Sequence, residues 1–80
     1  TGEDLEALSR FIKLTEQFPD YVGTYYHLGK LLEKLDRKDD ALLYYQKGME
    51  VAKAKRNMHA LNELKGAYLM AIGEDDEDDY

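Results

Sequence analysis

The sequence predicts an all-α fold of about four helices arranged as antiparallel hairpins. Apolar residues recur at steps of three and four in four successive segments, which is the spacing of one buried helix face. The chain is rich in Leu, Ala, Glu and Lys, which favour helix, and its single proline lies between two of these segments. At 80 residues it forms one small domain with a core that is marginal by itself.

The helix boundaries are predicted from the residues that begin and end helices. Pro19 ends the first helix, because the residue before a proline is forced out of helical geometry. Asp20 and Asn57 are suitable N-caps for the second and fourth helices, and Gly73 is a suitable residue just past the last helical turn. The predicted helices are 4–18, 21–35, 39–55 and 58–72.

One pattern of small and large apolar residues is repeated along the chain. It consists of an aromatic residue, a Leu-Gly pair, an apolar residue, an alanine and a second aromatic residue: Tyr25, Leu28, Gly29, Leu32, Ala41 and Tyr45. A shift of 34 residues places Ala7 on Ala41 and Phe11 on Tyr45, so the first helix repeats the third. This pattern resembles the tetratricopeptide repeat (TPR), and the resemblance implies a right-handed α-solenoid of stacked helical hairpins.

The resemblance also implies a division of the chain. Residues 1–73 would form one TPR-like domain. Within it, residues 1–21 would be the second half of a repeat, 22–55 one full repeat, and 58–72 a C-terminal capping helix or the first helix of another repeat. Residues 74–80 are predicted to form an acidic, disordered tail, because they contain too little apolar surface to fold alone.

Small residues are expected where helices cross closely. Gly29 and Ala41 would allow two antiparallel helices to approach, since larger side chains would separate them. Gly48 is expected in mid-helix at another close approach. A mid-helix glycine costs about 0.5–1 kcal/mol relative to alanine, so the sequence predicts that Gly48→Ala stabilises the domain modestly.

Charge and composition exclude several classes of function. The net charge is −6, and six of the 17 acidic residues are consecutive at positions 74–79, so the remaining 11 acids balance 11 Lys and Arg. A neutral body with an acidic tail argues against nucleic-acid binding. The tail could bind a basic partner, lie across the basic cluster Lys53, Lys55 and Arg56, or only keep the protein dissolved, which we favour.

Membrane association and disulfide chemistry are not expected either. No apolar run approaches the roughly 18 residues of a membrane span, and the sequence shows no secretory leader. The chain has no cysteine, which excludes disulfides and thiolate sites. We therefore expect a cytoplasmic location and no contact with a membrane.

No residue pattern indicates an enzyme. His27 and His59 are the two histidines, and neither belongs to a metal-binding or catalytic motif. Asp36, Asp39 and Asp40 lack the spacing, the central glycine and the terminal glutamate of a calcium loop. We expect no catalytic residue, no metal and no cofactor.

The resemblance implies a non-catalytic adaptor that binds a protein or peptide of unknown identity. The ligand groove of the family lies on the first helix of each repeat, and the matching positions here are Gly23, Tyr26, Lys30, Glu33 and Lys34. A tyrosine beside lysines suits an extended peptide with a carboxylate, because aromatic rings supply rigid contact area and lysines supply charge. The competing interpretation is a solvated amphipathic face.

The alternative function is structural. The first helix carries apolar residues on more than one face, and a repeat unit cannot bury its face alone. Either an upstream helix or a second copy of the chain is then expected to cover it. A homodimer would use a self-association face that contains Leu5, Leu8 and Ile12.

Overall fold

The computed structural model describes residues 2–76, and this part of the chain folds into four α-helices without a strand. The helices are α1 Gly2–Gln17, α2 Val22–Lys34, α3 Lys38–Ala54 and α4 Met58–Asp76. The all-α prediction is confirmed, and every predicted boundary except the end of α4 lies within two residues of the observed one.

α4 extends beyond its predicted end. We expected a stop at residue 72 with Gly73 in the left-handed conformation, but the helix continues through Asp76 and Gly73 has no positive φ. A glycine costs a helix only about 1 kcal/mol, and no proline follows to stop the chain. The first three residues of the predicted tail are therefore helical, whereas Thr1 and residues 77–80 lie outside the described residues.

α2 and α3 both end in a hydrogen-bonded turn around a residue with positive φ. At the end of α2, Asp36 has φ 61° and its N–H donates to the Glu33 carbonyl oxygen at 3.0 Å. The N–H of Arg37 donates to the Leu32 carbonyl oxygen at 2.8 Å. Arg56, with φ 57°, makes the equivalent turn after α3. These two bonds form the Schellman motif, in which glycine normally occupies the left-handed position.

Replacing Arg56 with glycine should therefore stabilise the protein by about 1 kcal/mol, since a side chain disfavours the left-handed conformation by about 1–2 kcal/mol. Urea unfolding followed by circular dichroism measures the change. The control is Lys55→Gly, one residue earlier, where φ is −88° and glycine brings no conformational relief. Equal effects of the two substitutions would contradict the account of this turn.

Of the N-caps predicted for α2 and α4, the one for α4 is confirmed and the one for α2 is not. The Asn57 side-chain oxygen accepts a hydrogen bond from the Ala60 N–H at 3.1 Å, so this cap is confirmed. The cap position of α2 is occupied by Tyr21 and not by Asp20, and it makes no side-chain cap bond. The Asp20 carbonyl oxygen instead accepts a hydrogen bond from Lys55 Nζ at 2.9 Å, which joins this loop to the end of α3.

The helices form a slab with Cα dimensions of 42 × 34 × 15 Å. α1 packs on α2, α2 packs along α3, and α4 packs on both α3 and α2. Most of the core lies among α2, α3 and α4: Tyr25, Leu28, Leu32, Ala41, Tyr45, Ala52, Leu64 and Ala67. In the described part of α1, Leu8 is the one buried side chain, so α1 is held less tightly than the other helices.

The crossing of α2 and α3 is built around Tyr45. A Cβ atom at Gly29 would overlap the Tyr45 ring, so the glycine provides the space that the ring occupies. The ring is fully buried, and its hydroxyl group donates a hydrogen bond to Glu33 Oε2. The close crossing predicted at Gly29 is thus present, and Glu33 satisfies the polar end of the buried tyrosine.

Tyr25 joins α2 to the preceding loop. Its hydroxyl donates to the Pro19 carbonyl oxygen at 2.7 Å, and its side chain is 5% exposed. Burial raises the pKa of Tyr25 above its ordinary value of 10.0, and the charges of Asp20 and Tyr44 raise it further. The folded state therefore favours the neutral phenol.

This pKa shift predicts how stability depends on alkaline pH. Because the folded pKa exceeds the unfolded value, the contribution of Tyr25 is complete below about pH 10 and is lost as the pH rises through the folded pKa. The unfolding free energy of the wild type should thus fall more steeply above pH 10 than that of Tyr25→Phe. Below about pH 9 the variant should be less stable by about 1 kcal/mol, the typical contribution of one hydrogen bond. Parallel slopes in urea titrations across this range would contradict the prediction.

Candidate functional site

The predicted groove residues all lie on α2, and two of them form a pair at its centre. Tyr26 is half-buried with its ring packed against the core, and Lys30 is exposed one turn later. Lys30 Nζ lies 5.7 Å from the centroid of the Tyr26 ring. This distance is within the range of a cation–π interaction. The pair brings a half-buried aromatic ring and an exposed ammonium group together on α2.

Lys34 extends this surface by one further turn. Its Nζ lies 3.3 Å from Asp4 Oδ1 of α1, with 68% of the Lys34 side chain still exposed. A surface ion pair of this kind contributes at most about 1 kcal/mol, because water screens it. The pair joins α1 to α2 without removing the lysine from solvent.

Glu33 differs from the other predicted groove residues in its contacts. It is half-buried, and its carboxylate accepts the hydrogen bond from Tyr45 of α3. Its position on the helix lies between the core face and the solvent face, so spacing alone could not assign it to either. The structure gives Glu33 a structural contact at the α2–α3 crossing.

Gly23 lies beside an aromatic residue outside the predicted groove, Tyr21. A Cβ atom at Gly23 would be 3.8 Å from Cζ of Tyr21, and 66% of Tyr21 is exposed. Tyr21 precedes the helix, so the three- and four-residue spacing that identified the stripe could not include it. The sequence feature that could have identified Tyr21 is an aromatic side chain two residues before the first groove position, Gly23.

The two histidines have ordinary surface environments. His27 is exposed, lies edge-on to Tyr26 with centroids 5.7 Å apart, and stacks on Phe11 at 6.3 Å. His59 Nε2 lies 3.6 Å from a carboxylate oxygen of Glu63 one turn later. Among residues 2–76, no group of three or more His, Cys, Asp or Glu side chains could hold a metal ion.

The candidate site is therefore the solvent face of α2, which we call the α2 face: Tyr21, Gly23, Tyr26, Lys30 and Lys34. It combines two tyrosine rings with two ammonium groups. Such a surface can bind a chain with carboxylates by charge and by contact with the rings.

The predicted self-association face on α1 divides between the core and the surface. Leu8 is only 7% exposed and belongs to the core cluster, whereas Leu5 is 59% exposed. Ile12 is half-buried and packs against the core. A charge introduced at Leu8 would disrupt the monomer itself, so Leu5 is the position at which self-association through α1 can be tested.

No helix in the described range is both long enough and apolar enough to cross a lipid bilayer.

Two solved structures resemble the chain over most of its length. A crystal structure of a tetratricopeptide repeat domain protein from Salinibacter ruber is 53% identical, with a TM-score of 0.83, over 88% of this chain and 78% of that one. A solution NMR structure of a tetratricopeptide repeat domain protein from the same organism is 52% identical, with a TM-score of 0.86, over 89% of this chain and 72% of that one. No protein-family model and no curated protein matches the sequence.

Proposed function

The chain belongs to the tetratricopeptide repeat family, and on that premise we propose that it is a non-catalytic adaptor that binds a protein or peptide partner through the α2 face. Proteins of this family are helical-repeat modules that generally mediate protein–protein interactions. Beyond this general role, we specify the binding surface, which is the α2 face, and the class of ligand. We propose an extended peptide segment that carries carboxylates, either as acidic side chains or as a free C-terminus.

The observation that supports this choice is the position of Lys30 over the ring of Tyr26. The ring restricts where the ammonium group can lie, so less side-chain entropy is lost when a carboxylate binds. Lys34, one turn later, places a second positive charge on the same face. Tyr21 adds exposed aromatic area at the other end of the face, and tyrosine is enriched in binding surfaces because it supplies contact area with few rotatable bonds.

The α2 face also carries a local positive charge. Apart from the acidic run at 74–79 the chain is neutral, and the five residues of the α2 face include two lysines and no acid. The Asp4 carboxylate that reaches Lys34 comes from α1. It occupies the position that a ligand carboxylate would take, so binding would exchange one ion pair for another at this lysine.

Selection from a random peptide library with free C-termini, followed by titration of the selected peptide, tests this proposal. Acidic peptides should be enriched, and Lys30→Glu should weaken their binding by at least about tenfold, because it reverses the central charge. The matched control is Lys47→Glu on α3, since Lys47 Nζ also lies over a tyrosine ring, that of Tyr44, at 5.0 Å. The control should bind as the wild type does.

Two results would contradict the proposal. One is a library that yields no enriched acidic sequence. The other is an equal loss of binding in Lys30→Glu and Lys47→Glu, which would indicate general attraction of acidic peptides to lysines rather than a site on α2.

The second candidate function is a structural or oligomerisation module. The exposed Leu5 on α1, beside the half-buried Ile12, favours it, because exposed apolar side chains are covered in many assemblies. This candidate predicts that Leu5→Glu changes the oligomeric state and that no peptide binds the α2 face.

A further inference from the structure

An apolar cleft of about 400 Å³ lies between α3 and α4, and no residue of the α2 face lines it. α3 contributes Met49 and Lys53 to it. Two of the side chains that α4 contributes are largely exposed, Met58 at 59% and Leu69 at 54%. The residues of α4 that line the cleft are Met58, Leu61, Asn62, Lys65, Tyr68 and Leu69.

The equivalent face of α2 is covered within the chain. A shift of 36 residues places the six α4 residues on Val22, Tyr25, Tyr26, Gly29, Leu32 and Glu33. All six α2 residues are buried or half-buried. Two of them, Gly29 and Glu33, hold the ring and the hydroxyl group of Tyr45 from α3. α4 thus presents to solvent a face that α2 buries against an antiparallel helix, and a helix is the shape that fits the cleft.

The chemistry of the cleft differs from that of α2 at the two positions that hold Tyr45. Lys65 stands where α2 has Gly29, and Leu69 stands where it has Glu33. The space for an aromatic ring and the acceptor for its hydroxyl are therefore both missing. A helix that covers α4 must instead bring apolar side chains toward Leu69 and the hydrocarbon stem of Lys65, and carboxylates toward Lys53.

We propose that α4 of a second copy of this chain fills the cleft, antiparallel to the first. α4 is the helix of this chain that carries exposed apolar side chains and ends in consecutive acids. An antiparallel pair centred near residue 67 places Lys65 close to Leu69 of the second copy. The contact is symmetric, so each copy fills the cleft of the other.

Charge complementarity selects this occupant. The basic cluster Lys53, Lys55 and Arg56 directly precedes α4, and the acids Glu74, Asp75 and Asp76 form its last turn. In an antiparallel pair the acidic end of each α4 lies beside the basic cluster of the other copy. Two such contacts offset the general repulsion between two chains that each carry a net charge of −6.

Sedimentation equilibrium of the full chain tests the proposal. Between about 5 and about 500 µM, the mass should rise toward that of a dimer, as mass action requires. Raising the salt from about 50 mM to about 500 mM should weaken the dimer several-fold, because exposed charges are screened. A monomer throughout this range would overturn the proposal.

Variants identify the surface. Leu69→Lys should raise the dimer dissociation constant by at least about tenfold, because it removes apolar contact and places an ammonium group beside Lys65 of the other copy. The matched control is Leu5→Lys on α1, which replaces a similarly exposed leucine and should leave the dimer unchanged. Lys30→Glu should also leave it unchanged, which keeps this test separate from that of the α2 face. Circular dichroism would confirm that each variant retains its helices.

A charge-neutralised variant tests the orientation. Glu74→Gln, Asp75→Asn and Asp76→Asn together should weaken the dimer at low salt, although they lower the net repulsion between copies. Tighter dimerisation of this variant would overturn the antiparallel arrangement. Loss of the dimer in Leu5→Lys but not in Leu69→Lys would overturn the assignment to α4 and place the interface on α1.

Discussion

Replacing Gly29 with alanine is expected to lower the unfolding free energy by about 3 kcal/mol, at the upper end of the usual cost of overpacking a core. The new Cβ atom would overlap the ring of Tyr45, which is fully buried and held by its hydrogen bond to Glu33. The ring cannot turn away without breaking that bond or separating α2 from α3. Urea unfolding followed by circular dichroism measures the loss.

Gly66 provides the matched control for Gly29. It lies inside α4, is exposed, and has no other heavy atom within 4 Å of where its Cβ would be. Gly66→Ala should therefore stabilise the protein by about 0.5–1 kcal/mol, the ordinary gain for a mid-helix glycine. If Gly29→Ala gives the same gain, the crossing of α2 and α3 is not as close as described.

A double-mutant cycle keeps the Gly29 prediction testable if the single variant does not fold. Tyr45→Leu removes the ring that the new Cβ atom would overlap. In the Tyr45→Leu background, the further change Gly29→Ala should cost much less than it does in the wild type, because contacting residues couple. Independent effects of the two changes would contradict a direct contact between them.

Gly48→Ala is expected to destabilise the protein by about 2 kcal/mol. A Cβ atom at Gly48 would lie 2.7 Å from Cβ of Tyr25 and 3.0 Å from Cδ1 of Leu64. The leucine methyl group can move, but the tyrosine Cβ is fixed to the backbone of α2. These short contacts argue against the sequence-based expectation that the substitution stabilises the domain. A measured gain of about 0.5–1 kcal/mol would restore it and contradict the packing described for α3.

The two glycines show what spacing can predict about helix packing. The pattern of aromatic and small residues correctly placed Gly29 and Gly48 where helices meet. The sign of the effect at Gly48 could not be predicted, because it depends on a few tenths of an ångström between the glycine and its neighbours. Sequence spacing determines which residues face each other and not how closely they approach.

Some helix ends could be predicted from the sequence and others could not. Pro19 and Asn57 act through local geometry, and the helices adjoining them begin and end close to where expected. Asp36 and Arg56 adopt the left-handed conformation that glycine usually occupies at the end of a helix. Because neither residue is a glycine, the sequence did not indicate a Schellman motif at these positions. Gly73 is a glycine without that conformation, and α4 continues through it.

The candidate site was only partly predictable. Tyr26, Lys30 and Lys34 lie three or four residues apart on α2, so helical periodicity was enough to place them on one face. The contact of Glu33 with Tyr45 depends on how α3 crosses α2, which is a tertiary feature. The cleft beside α4 could not be predicted from spacing. Its residues follow the same spacing as the equivalent residues of α2, which are buried or half-buried, so only the three-dimensional structure shows that the α4 face is open.

The most direct test of the proposed binding function is an NMR titration of the ¹⁵N-labelled chain with the acidic peptide selected from the library. Our account predicts saturable shifts that are largest for the backbone amides of Gly23, Tyr26, Lys30 and Lys34. Shifts confined to the residues of the cleft, such as Lys65 and Leu69, or shifts that do not saturate, would contradict binding at the α2 face.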